Sequence, residues 1–187
     1  GDIIEFGASE KIDKNFCSLH LSNSRVNFSN INPSNKEFIN IDLQKKISLN
    51  TKYDCIVIFN VLEHLLDPHL ALRNLSTISK KNGKIIGSTP FLFRVHGAPK
   101  DYSRFTKDHL IELLKFNNFK DIEIIELGTG PFLACISLLR SYLKYLPVFY
   151  QLLISLSLVL DKVIKLFIKT DPKKIYPIGY VFIATNT

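Results

Sequence analysis

Between Tyr53 and Thr89 the spacing of apolar and polar residues changes three times, and each change predicts an element. Tyr53-Asp54-Cys55-Ile56-Val57-Ile58-Phe59 is almost wholly apolar, as a strand buried on both faces requires. Asn60-Val61-Leu62-Glu63-His64 then opens a polar turn. Behind Asp67-Pro68, a cap residue and a proline suited to the first helical turn, Leu70, Leu72, Leu75 and Ile78 give a helix its apolar face. Lys80-Lys81-Asn82-Gly83 is expected to close that helix, with basic residues at the negative end of its dipole and a glycine beyond. Lys84 to Thr89 reads as the next strand. The result is a strand-helix-strand unit with polar side chains at the carboxyl end of its first strand, where ligands sit in parallel sheets.

The rest of the chain repeats the theme. Asp2-Ile3-Ile4-Glu5-Phe6 predicts a first strand, Gly7-Ala8-Ser9 a tight turn, and the following residues a weak helix to about Leu21. In this turn Gly7 would let backbone amides approach a ligand and Glu5 would hydrogen-bond it; an ordinary strand and turn would look the same. Arg25 to Ile31 is a second strand, closed by Asn32-Pro33-Ser34-Asn35, and Phe38 to Leu43 a third, with Asp42 near its end. Pro90 to Thr106 is a long loop rich in His, Asp, Tyr and Arg, and long loops in compact domains tend to be functional. Asp101 and Arg104 could equally pair with each other there. Thr106 caps a helix over Lys107 to Phe116, and Ile122 to Leu127 is a sixth strand. Strands alternating with helices predict an α/β, doubly wound, Rossmann-like sheet with right-handed crossovers.

Composition narrows the function more than the fold. The 187 residues are 46% hydrophobic, which suits a globular chain of one domain. Three cysteines without metal-ligand spacing point to a reducing compartment, the cytoplasm by default, and to no metal site. The chain contains no methionine, so it is expected to be a processed or partial form, with no room for a signal peptide before the first strand. Of the net charge of +7, the segment from Arg140 to Lys174 supplies +5, through seven basic residues against Asp161 and Asp171. About +2 is left for the remainder, which gives no footing for nucleic acid.

The run from Tyr53 to His64, followed by Asp67-Pro68, Lys80-Lys81-Asn82-Gly83-Lys84 and Ser88-Thr89-Pro90, resembles the class I S-adenosylmethionine-dependent methyltransferases. Within these it is most similar to the small-molecule enzymes of type 11 and 12, several of which sit in glycan and lipid biosynthesis loci. The resemblance covers residues 2 to 128. It implies a mostly parallel seven-stranded sheet, with Tyr176 to Thr187 as an antiparallel last strand and a helical insertion over 131–175 within a single domain. It also implies S-adenosylmethionine as cofactor and a small-molecule acceptor, with a sugar or a lipid-linked glycan intermediate the expected kind. Position by position, Glu5 matches the acid ending the first strand and Gly7 the first glycine of the cofactor loop. Asn32 stands where an acid usually grips the ribose hydroxyls. Asp42, with Leu43 beside it, matches the acid near the adenine, and Asn60 the strand end along the methionine part. Ser9 and Lys11 depart from the pattern, standing where further glycines are preferred, and a side chain there can obstruct backbone approach. The loop with His96, Pro99, Asp101-Tyr102 and Arg104 resembles a subgroup signature. His96 is the candidate catalytic base, or a loop-stabilising residue; Asp101, Tyr102 and Arg104 are the candidate substrate contacts, or loop braces. His64 is expected to order its turn. The rival readings are a catalytically silent module of the same fold and a nicotinamide-dependent enzyme, the latter disfavoured by the missing three-glycine fingerprint.

Phe132 to Lys169 is strongly apolar, and its longest uncharged run, Tyr145 to Leu160, falls short of a membrane span of about 20 residues. Lys162, Lys165, Lys169 and Lys173 recur at helical spacing and predict a basic amphipathic helix. Such a segment over 140–174 suits contact with a membrane surface, a helical hairpin over the sheet, or a homodimer interface.

Overall fold

The structure, a computed structural model, describes residues 1–20, 25–97 and 100–187. The expected helix limit at Leu21 and the signature residue Pro99 lie outside these. Seven strands form one mixed sheet in the order β3-β2-β1-β4-β5-β7-β6. They are β1 Asp2–Phe6, β2 Arg25–Asn30, β3 Ile39–Asn40, β4 Tyr53–Phe59, β5 Ser79–Pro90, β6 Phe119–Leu127 and β7 Gly179–Asn186. β1 pairs in parallel with both β2 and β4, and β4 with β5. The last strand runs the other way: Thr187 N–H donates to the Asn118 carbonyl before β6, and Ile178 N–H to the Leu127 carbonyl at its far end. The expected doubly wound sheet with an antiparallel closing strand is the observed one.

The chain divides into two compact units. The first comprises 1–89, 97–124 and 182–187, and the second 90–96 and 125–181. The expected insertion at 131–175 falls within the second.

In the first unit Ile4, Ile56, Ile58 and Ile85 from the sheet are fully buried, as are Leu72, Leu75 and Leu110 from its helices. Each such side chain stabilises the fold by roughly 1.5–3 kcal/mol. Helices α1 Phe16–His20, α2 Pro68–Ile78 and α3 Lys107–Phe116 complete the unit. Two predicted caps are present: Asp67 accepts from Leu70 N–H at 2.9 Å, and Thr106 Oγ1 accepts from His109 N–H at 3.3 Å. Helix α2 ends earlier than its sequence suggests. Ser79 already belongs to β5, and the Asn186 amide, buried at the end of β7, donates to the carbonyls of Ser76, Ser79 and Lys80. Lys80 then turns to Asp54, with its ammonium 2.9 Å from both carboxylate oxygens.

The second unit holds α4 Pro131–Leu138, α5 Arg140–Leu143, α6 Pro147–Phe167 and α7 Pro172–Ile175. Asp161 of α6 is buried and caps α4: its carboxylate accepts from Phe132 N–H at 3.0 Å, Leu133 N–H at 3.2 Å and the Thr129 hydroxyl at 2.6 Å. The predicted basic helix is corrected here. Lys162 and Lys165 lie on α6, but Ile168 is extended, Lys169 follows in a turn and Lys173 lies on α7, so Asp171-Pro172 starts a new helix instead of continuing the old one.

Candidate functional site

A cleft of about 690 Å³ opens in the first unit beyond the carboxyl ends of β1, β2 and β4. Sheet order reverses direction between β1 and β4, and ligands of open α/β sheets bind at such switch points. Its volume lies within the range of small-molecule and cofactor sites. Phe6, Ile31, Ile41, Leu43, Val61 and Leu65 supply apolar wall, and Asn30, Gln44, Asn60, His64, Lys100 and Tyr102 supply polar edge.

Gly7 sits at the floor with φ +68°, in the left-handed region. A Cβ there would lie 2.5 Å from Val61 Cγ2, so the turn after β1 and the turn after β4 fit together only if residue 7 is glycine. Beyond it the loop is shaped by asparagines. Asn15, buried, accepts from Ser9 N–H at 2.6 Å and donates to the Ser9 carbonyl at 3.0 Å. Asn30 donates to the Ala8 carbonyl at 3.0 Å and accepts from Ile31 N–H at 2.8 Å. Ser9 and Lys11 are exposed, and neither lines the cleft.

Across the cleft Asn60 adopts φ +52°, a conformation asparagine tolerates better than most residues, and is fixed to β5. Its N–H donates to the Ser88 carbonyl at 3.0 Å, and its Oδ1 accepts from Ser88 Oγ at 3.1 Å. Gln44 Oε1 accepts from Leu66 N–H at 2.8 Å and Asp67 N–H at 3.1 Å, joining the segment after β3 to the start of α2. Asn74 of α2 holds the same segment by donating to the carbonyls of Leu43 and Lys45.

The third wall comes from the loop before α3. Tyr102 and Ser103 N–H groups donate to the Glu63 carbonyl at 2.8 and 3.2 Å, and His64 Nδ1 lies 2.6 Å from the Lys100 carbonyl. His64 therefore ties its turn to the segment at Lys100 and lines the cleft as well. Asp101 and Arg104 pair with each other, with Arg104 Nη2 2.6 Å from Asp101 Oδ2, and Arg104 Nη1 also donates to the Ser103 carbonyl. Burial pushes the Glu63 carboxyl above the usual carboxylate range, against the smaller opposing influence of His64 and Arg104.

Of the residues singled out in the sequence, Gly7, Leu43, Asn60 and Tyr102 line this cleft. Glu5 is buried and does not: its two oxygens accept from Phe16 N–H at 3.1 Å and Cys17 N–H at 2.8 Å. Asn32 and Asp42 line a neighbouring depression of about 390 Å³, together with Lys45 and Lys46. Asp101 and Arg104 brace the loop between them. His96 belongs to the second unit, where its ring packs edge-on against Phe93 at 5.1 Å. Sequence reasoning missed Asn30, Gln44 and Lys100. Asn30 was within reach, since it ends β2 two positions before the residue chosen; Lys100 carried no local signal.

Comparison with known proteins agrees with this geometry. A family described as "Methyltransferase domain" matches residues 2–124. Similar solved structures include Haemonchus contortus phosphoethanolamine N-methyltransferase 2 with phosphomonomethylethanolamine and S-adenosylhomocysteine, at 14% identity and TM-score 0.60, covering 100% of this chain and 48% of that one. A SAM-dependent methyltransferase from Archaeoglobus fulgidus gives 14% identity and TM-score 0.59 over 99% and 86% of the two chains. The CurJ carbon methyltransferase gives 11% and 0.62 over 100% and 48%. At these identities the likeness carries the fold, and the chain spans about half the length of the first of these proteins. No curated protein matches. With its sheet order, its switch-point cleft and two thirds of its length matched, the chain belongs to the methyltransferase-domain family.

Proposed function

We propose that the cleft binds S-adenosylmethionine and that the protein transfers its methyl group to a small-molecule acceptor. The observation that carries this is Gly7: a left-handed residue with no room for a Cβ, at the floor of a cleft walled by Ile41, Leu43, Asn60 and Val61. The residues present fit such a cofactor. Apolar Ile41 and Leu43 suit the flat face of a base, while Asn60 and the backbone around Gly7 suit the polar amino-acid part. The two departures from the family's glycine pattern, Ser9 and Lys11, stand outside the cleft and do not fill it. Bound there, the cofactor would supply an electrophilic methyl on a sulfonium.

The protein's own part is positioning and exclusion of water. Asn60, held by Ser88, fixes one wall, and the Glu63 carbonyl holds Tyr102 against the other. Lys100 and Tyr102 also line the cleft, and a basic and a phenolic residue there favour a polar or anionic acceptor such as a sugar or a lipid-linked glycan intermediate. His96, whose imidazole ring can accept a proton, is the proposed base for the acceptor. Three free thiols support a reducing, cytoplasmic setting.

Isothermal titration with S-adenosylmethionine and S-adenosylhomocysteine tests the reading. Micromolar binding of either is expected, and no heat with either at millimolar ligand would sink it. The role of His96 is separable: His96→Gln should retain S-adenosylhomocysteine binding and lose turnover.

A further inference from the structure

Helix α6 is apolar on more than its inner face. Its two buried residues are polar, Ser157 and Asp161, set among half-buried Ile154, Leu158, Leu160 and Ile164, while a second set of large apolar side chains faces outward. Val148, Leu152, Leu156, Val159, Val163 and Leu166 follow one another three or four positions apart, and their exposures run from 45% to 81%. At 3.6 residues per turn they form one stripe down the whole 21-residue helix, roughly 31 Å long. Just before it, Tyr142 and Tyr145 are also more than three-quarters exposed. Soluble chains rarely leave so long an apolar face uncovered.

The charge around the stripe indicates what covers it. The segment from Arg140 to Lys174 carries a net +5. A second copy of the same face would set this charge against itself, whereas an anionic lipid surface neutralises it. We propose that the second unit docks on an anionic bilayer with α6 lying in the plane of the interface, its apolar stripe among the acyl chains. Helix α6 is long and apolar enough to cross a membrane. However, Gln151, Ser155, Lys162 and Lys165 occupy a single flank over most of its length. Crossing would carry that flank through hydrocarbon; lying flat leaves it at headgroup level, with tyrosines in the position aromatic residues favour.

The test uses the intact protein and flotation with vesicles of neutral lipid, alone or with 30% anionic lipid. Flotation with the anionic vesicles, weakened at least tenfold by raising the salt, is expected. Leu152→Glu/Leu156→Glu should abolish it, and Lys162→Glu/Lys165→Glu should weaken it by at least tenfold, since each lysine near an anionic surface contributes about a factor of five. All four side chains are exposed or half-exposed, and circular dichroism checks that each variant folds. The orientation has its own readout, because the chain has no native tryptophan. Val148→Trp, near the start of α6, and Val159→Trp, near its middle, should be quenched equally by lipids brominated at one shallow depth. Failure of the wild type to float overturns the proposal, as does a dimer that Leu152→Glu/Leu156→Glu dissociates while vesicle binding stays nil. Deep quenching at one of these two tryptophans and shallow quenching at the other overturns the in-plane geometry.

Discussion

Helices α2 and α6 begin alike, each with proline in its first turn, and end up with opposite polarity. Helix α2 buries Ala71, Leu72, Leu75 and Ile78, and the polar residue buried with them, Asn74, is spent on two carbonyls of the cleft segment. Helix α6 buries Ser157 and Asp161 and presents Val148, Leu152, Leu156, Val159, Val163 and Leu166 outward. The first pattern is what water imposes on a helix; the second is what a helix shows when part of its surroundings is apolar. One unit is therefore organised to hold a ligand beside a water-excluding core. The other is organised around a single buried carboxylate with its apolar surface spent elsewhere.

Breaking the first half of that contrast takes one methyl group. Gly7→Ala places a Cβ against Val61 at a backbone angle that alanine rarely adopts, and Gly7→Val adds two more carbons. The turn must move into the cleft or away from it, and binding of S-adenosylhomocysteine should fall on the order of a thousandfold for Gly7→Val, about 4 kcal/mol. Titration calorimetry reads this directly. Unchanged affinity would mean that the ligand does not lie against this turn.

The second half breaks at Asp161. Asp161→Ala strips the cap from Phe132 and Leu133 N–H and leaves the Thr129 hydroxyl without its acceptor, a loss of about 3 kcal/mol for a buried, charge-assisted cluster. In urea the second unit should unfold earlier, seen as a separate transition, while S-adenosylhomocysteine affinity stays within twofold. A single shifted transition would show that the two units unfold as one.

How far this contrast was legible in the sequence depends on how far away the deciding atoms lie. Helix α3 runs over the predicted residues because its cap, Thr106, and its apolar spacing are local. The end of α2 was not legible, since it is set by Asn186, more than a hundred residues on. In sequence Ser9 and Lys11 are departures from a glycine pattern; in three dimensions Asn15 and Asn30 shape the loop, and neither Ser9 nor Lys11 lines the cleft. Glu5 showed the right residue at the right strand end, but its role is to cap α1, which only contact with Phe16 and Cys17 reveals. For α6 the composition was plain and the direction was not: an apolar helix looks the same in sequence whether its leucines point in or out.

A milder change sharpens the contrast by touching α2 alone. Asn74→Ala should cost roughly 1–2 kcal/mol in the first unit by freeing the Leu43 and Lys45 carbonyls. It should also weaken S-adenosylhomocysteine severalfold, because the freed segment carries Leu43 and Gln44 into the cleft. Vesicle flotation should be unaffected. An equal loss of lipid binding would contradict the separation of the two faces.

The smallest effect concerns Glu63, the fully buried acid of the first unit, whose proton affinity is raised chiefly by burial. Its folded pKa lies above the unfolded value near 4.3. Below that value both states hold the proton and the site costs nothing. As the pH rises through the window between the unfolded and the folded pKa, the unfolded chain releases its proton first, so stability falls and stays lower above the window. Glu63→Gln has no such proton to lose. Its urea midpoint relative to wild type should therefore rise from pH 3.5 to pH 7, most steeply between the unfolded and folded pKa values. A flat difference would show that solvent or the neighbouring His64 and Arg104 cancel the burial, and that this acid is tuned by charge and not by the dry core that sets the first unit apart from α6.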